Sequence, residues 1–167
     1  MNRAKSIIKR LGWGLLAVLA LCQFIRPGHT NPPAAPGRDL SASAFAPSAK
    51  VAALLRGACY DCHSYETKWP WYGQIAPVSW WLADHIKDAR ARLNFSDWPV
   101  DNPARAKKKL ERISENVESG DMPLPSYTWM HPAARLSAAD KKLLADWADE
   151  SADNIKLPAP AASPENK

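Results

Sequence analysis

The stretch SAKVAALLRGACYDCH, residues 48–63, decides how the chain is read. Its first part is helical by pattern. Ser48 is a capping residue, and Val51, Leu54, Leu55 and Ala58 recur on one face at three- and four-residue spacing. The pattern runs straight into Cys59-Tyr60-Asp61-Cys62-His63. Thiols three residues apart at a helix end can each add to one vinyl group of the same porphyrin. The adjacent imidazole then projects from the tethered segment toward the iron. Cys59 and Cys62 are therefore the expected attachment points, His63 the expected proximal ligand, and covalently attached haem c the expected cofactor. A thioredoxin-like redox pair would want a βαβ setting. A zinc site would want further ligands, and the only other cysteine, Cys22, lies in an apolar run.

Outward from the motif, three more helices are predicted. Pro77 to Leu93 carries Trp81, Leu82, His85, Ile86 and Ala89 along a stripe. Asn102-Pro103 opens a helix with Ala106, Leu110, Ile113 and Val117 on its apolar face, which Gly120 stops. Ser137 to Asp140 is a capping-box-like start for a last helix bearing Leu143, Leu144 and Trp147. No segment alternates with period 2, so the fold class expected is all-α. Residues 64–76 and 121–136 read as long loops around something functional.

Within those loops lie the candidates for a sixth iron ligand. Met122, in Gly120-Asp121-Met122-Pro123, is the first choice, because a proline stiffens the approach of the sulfur. Met130 and His131 compete with it, and five-coordinate iron stays open. His85 reads as a core histidine. Nine of the 15 aromatic residues fall between Tyr60 and Trp98, and two or three of them are expected against a porphyrin face. Arg56, Lys68 and Arg90 could pair with propionates or be solvated charges. Lys107-Lys108-Lys109 is a docking patch or the wet face of a helix.

The chain has 167 residues and a formal charge of +5. Arg3, Lys5, Lys9 and Arg10 stand in the first ten residues without an acid. The 22 Lys and Arg less those four leave 18 against 17 acidic residues, a balance of +1. A basic flag followed by the apolar run Leu11–Ile25 is an anchor or export signal, and no A-x-A cleavage site follows. That orientation puts the N-terminus in the cytoplasm and the rest in the periplasm. It removes the case for nucleic acid, since the exported part is nearly neutral. The expected order is an N-terminal membrane anchor or uncleaved signal (1–26) in the inner membrane, a Pro-rich tether (27–47), a haem-binding domain (48–156) and a disordered tail (157–167).

The strings CYDCHS, WPWY (69–72), IAPVSWW (75–81), LNFSDW (93–98) and MPLPSYTWMHP (122–132) resemble the bacterial haem-binding domain family of short, membrane-anchored monohaem proteins. The resemblance covers roughly residues 51–150. It implies a cytochrome-c-like helical fold after an N-terminal transmembrane helix, with thioether attachment at Cys59 and Cys62 and proximal ligation by His63. Ala89 stands before Arg90 where the family often has glycine. The function expected is single-electron transfer to a redox partner rather than enzyme catalysis. The alternative is a haem sensor or small-ligand binder with an open sixth position.

Overall fold

Seven α-helices and three short 3₁₀ turns form all the regular structure among residues 2–157, the part of the chain that the computed structural model describes. The tail expected to be disordered, 157–167, lies outside the described residues except for Leu157. The helices are α1 (Asn2–Cys22), α2 (Ala49–Ala58), α3 (Tyr60–His63), α4 (Val78–Arg92), α5 (Pro103–Ser119), α6 (Pro125–Met130) and α7 (Ala138–Asp153). No strand occurs among the described residues, as the missing period-2 pattern predicted.

Local chemistry sets the boundaries. The Ser48 hydroxyl accepts from the Val51 N–H, and the Asn102 side chain accepts from the Arg105 N–H at 2.9 Å. Ser137 and Asp140 form a reciprocal capping box at the start of α7. Gly120 closes α5 in the left-handed conformation, with φ +82. Its alanine variant is expected to lose about 1 kcal/mol in denaturant unfolding, because a Cβ strains that conformation.

The core forms where α5 packs on α7, the most extensive helix pair. Ala106, Leu110, Ile113 and Val117 of α5 meet Leu144, Ala148 and Ala152 of α7, with Val51 and Leu55 of α2 completing the cluster. Small alanines let the helices approach closely. Leu143 and Trp147, expected in the core of α7, pack at its edge instead. Trp98 and Phe95, from the segment after α4, are fully enclosed in the same cluster.

Residues 27–47, expected to tether, do not hang free. Leu40 is fully buried and its N–H bonds the Phe95 carbonyl at 2.8 Å. The Trp98 N–H bonds the Arg38 carbonyl at 2.7 Å, and the Arg38 guanidinium pairs with Asp97 at 2.6 Å. Further back, His29 stacks on Trp69 with ring centroids 4.1 Å apart. Proline restricts this segment, so laying it along the domain costs less entropy than ordering a flexible chain.

No helix among the described residues is long and apolar enough to cross a membrane. This corrects the expectation of an N-terminal transmembrane helix. α1 is 21 residues long, but its first half carries Arg3, Lys5, Lys9 and Arg10. The apolar remainder, Leu11–Cys22, is about 18 Å long at ~1.5 Å per residue, against a hydrocarbon core of about 30 Å.

Candidate haem-binding site

Cys59 ends α2 and also begins the single turn α3. Its N–H still bonds the Leu55 carbonyl at 2.8 Å, while its own carbonyl accepts from the His63 N–H at 2.9 Å. This tight junction brings Cys59, Cys62 and His63 together. Both cysteines are free and partly buried. Burial pushes the Cys59 thiol up to about 12 and Cys62 up to about 11. Both are therefore neutral thiols, which argues against a poised thiolate redox pair. Among the described residues no group of three or more His, Cys, Asp or Glu could hold a metal ion, so the zinc reading finds no support.

His63 is held through one nitrogen. Nδ1 lies 3.2 Å from the Ala89 carbonyl and 3.1 Å from the Leu93 carbonyl. Two acceptors require that nitrogen to carry the proton, which leaves Nε2 with its lone pair free. Burial holds the imidazole below its ordinary pKa, against the opposing pull of those two carbonyls. The Phe95 N–H bonds the His63 carbonyl at 2.7 Å, and the two rings meet edge to face. A half-buried, neutral, oriented imidazole with one open nitrogen is the form that binds iron.

Two adjoining cavities of about 290 Å³ each flank this residue, and Cys59, His63, Arg92, Met122 and Pro123 line both. Cys62, His85, Asp88 and Tyr127 add to one; Phe95, Lys109, Arg112, Ile113 and Val117 add to the other. Met122 is delivered by the end of α5. Gly120 turns the chain back, and the Met122 N–H then bonds the Asn116 carbonyl at 3.0 Å. Met130 is exposed, and His131 stacks on Tyr127 at 4.1 Å while its Nδ1 meets the Tyr127 carbonyl; neither lines the cavities. Of the sulfur and imidazole groups weighed from the sequence, Met122 and His85 are thus the two that share cavities with His63.

The loop that carries Met122 is also tied to the motif. The Tyr127 hydroxyl donates to Asp61 at 2.7 Å, and the other Asp61 oxygen accepts from the Lys68 N–H. Burial and this bond to Asp61 hold the Tyr127 phenol well above its usual range. Asp61, one of the two unspecified positions of the motif, thereby clamps α6 over the cysteines. Nothing in the motif's spacing points to that role.

Several sequence readings change here. His85 is not a core histidine: it is exposed, stacks on Trp81 at 4.5 Å and lines a cavity. The buried stripe of α4 is narrower than predicted and consists of Ser79, Leu82 and Ile86. Of the nine aromatics between Tyr60 and Trp98, only Phe95 lines either cavity among the described residues. Arg56 pairs with Glu66 and sits over the Tyr60 ring, and the Lys68 side chain is exposed. Of the three lysines, Lys107 reaches the Ala152 carbonyl at 2.9 Å, and Lys109 reaches the Arg92 carbonyl at 2.5 Å and a cavity wall.

Arg90 lines neither of these cavities and is not a solvated charge. Its guanidinium donates to the carbonyls of Ser64 and Thr30, the Asn31 side chain and the Thr67 hydroxyl, all within 3.0 Å. It thus ties the N-terminal strap to the loop after His63. Arg90→Lys is expected to cost about 2 kcal/mol in thermal unfolding, since an ammonium cannot span that fork.

The donor set fits haem: two neutral thiols, an imidazole with a free nitrogen and a thioether across a shared cavity. Residues 17–150 match the model of the haem-binding domain. The chain belongs to that family. No curated protein and no solved structure matches it. The family's span starts at Ala17, so it includes the strap that lies over the domain as well as the cysteine motif.

Proposed function

We propose that this haem-binding domain protein is a monohaem c-type cytochrome with a cytochrome-c-like fold, carrying single electrons on the periplasmic side of the inner membrane. The observation that carries the reading is His63, held by two backbone carbonyls with Nε2 free, sharing both cavities with Met122. Cys59 and Cys62 would carry the thioether bonds, His63 the proximal bond and Met122 the distal one. Bound there, haem supplies a reversible one-electron couple, and thioether ligation raises its potential.

The chain's own residues do the rest. Ala89 and Leu93 carbonyls fix the imidazole and strengthen it as a ligand. Arg92, Lys109 and Arg112 line the cavities, and none has a carboxylate within ion-pairing distance among the described residues, so they are the cations open to propionates. Electron transfer rather than an enzyme activity is supported by the Met122 thioether lining both cavities with His63, since as a ligand it would occupy the position a substrate would need. The basic N-terminus before Leu11–Ile25 supports an uncleaved export signal, which carries the motif to where thioether attachment is made.

The test is the purified holoprotein, made with cytochrome c maturation enzymes. Haem that survives acid–acetone extraction, a low-spin reduced spectrum and no rapid reaction with carbon monoxide are expected. Fully extractable haem would overturn covalent attachment. Immediate carbon monoxide binding would overturn the six-coordinate carrier in favour of a ligand-binding sensor.

A further inference from the structure

Residues 69–83, WPWYGQIAPVSWWLA, contain no charged side chain, and neither do residues 11–25. Far apart in sequence, the two segments are fastened together in the fold. The Gln23 side chain makes a two-way bond with the backbone of Ala76, donating to its carbonyl at 3.2 Å and accepting from its N–H at 3.0 Å. The Trp80 indole N–H donates to the Ile25 carbonyl at 2.7 Å. Around this junction large apolar side chains face outward: Trp71 is 71% exposed, Trp81 50% and Phe24 85%, with Ile25, Ile75 and Val78 beside them. Val78 and Trp81 stand one turn apart on α4, and Trp71 leads the 3₁₀ turn that packs on that helix.

So many large apolar side chains exposed around one junction are rare on a freely soluble protein. The composition of the two segments, rich in indoles and aliphatic side chains and with the nearest charges in sequence at Arg10, Arg26, Lys68 and Asp84, is that of groups lying at a membrane–water boundary. The junction with the apolar half of α1 points to lipid as the occupant, an inference that rests on the membrane-side reading proposed above. We infer that residues 69–83 and 11–25 form one lipid-facing surface, and that the domain is seated by it on a bilayer. Trp81 stacks on His85, which lines a cavity beside His63. Seating therefore brings the haem site close to the membrane surface and favours a redox partner embedded in or lying on it. The short apolar length of α1 is thereby supplemented by a second apolar patch.

Full-length protein in phospholipid vesicles with a trace of photoactivatable lipid tests this. Peptide mapping should find lipid adducts on 69–83 as well as on 11–25, in high salt as in low, since the contact is apolar. Trp71→Ser with Trp81→Ser should lower adducts on 69–83 by about tenfold. Unchanged far-UV circular dichroism checks that the variant is folded. Adducts confined to 11–25, or 69–83 crosslinked to a second copy instead of lipid, would overturn the inference. Haem absorbance on the same samples reports the cofactor separately, so failure of one reading is not failure of the other.

Discussion

Cys59→Ala with Cys62→Ala is expected to convert haem from fully retained to fully extractable in acid–acetone, with only the iron ligands His63 and Met122 left to hold it. The α2–α3 junction is the reason. Both thiols lie in the turn that also ends in His63, and the hydrogen bonds of that turn run through backbone, so removing the sulfurs leaves its geometry intact. The single variants separate the two bonds. Each proposed thioether would saturate one vinyl group and shorten the conjugation of the porphyrin. The pyridine haemochrome band of either single variant should therefore lie at longer wavelength than that of the parent. An unshifted band in Cys62→Ala would mean that Cys62 forms no bond. The fold should survive, because neither cysteine belongs to the fully buried core.

Met122→Ala should have the second large effect. A sixth ligand must leave before carbon monoxide can bind. If Met122 holds the site about 99% of the time, its removal raises apparent carbon monoxide affinity about a hundredfold. The reduction potential should fall as well, since thioether ligation favours the reduced state. Met130→Ala should change neither property, because Met130 is exposed and lines neither cavity. Parent-like carbon monoxide affinity in Met122→Ala would remove Met122 from the site and leave His85, the other cavity-lining donor, to be tested in the same way.

Much of the fold is legible in the sequence because it is local. The stripe Ala106, Leu110, Ile113 and Val117 specifies both a helix and its buried face. Ser48, Asn102, Gly120 and the Ser137–Asp140 pair mark ends through hydrogen bonds and a backbone conformation that reach only a few residues. The Cys59–His63 motif is local for the same reason, since its two thiols and imidazole lie within five residues. α6 is hidden among prolines and aromatics that fit a loop as well as a helical turn.

What escapes a linear reading depends on what packs opposite. Trp81 and His85 continue the apolar stripe of α4, but the strap and the turn at 71–74 cover only part of that helix, so both stay exposed. Arg90 and Arg92 are two residues apart on one helix with opposite fates. Arg90 is consumed by the strap and the loop after His63, while Arg92 reaches the cavities. By itself, then, the sequence determined the all-helical class, the helix faces and the chemistry of the haem-binding motif, because each is written within one or two turns of chain. Only the tertiary structure decided that Ala89 and Leu93 orient His63, that Met122 and not Met130 shares its cavities, and that the Pro-rich segment is a strap. Those outcomes rest on hydrogen bonds and contacts between segments distant in sequence, and their partners are chosen by folding.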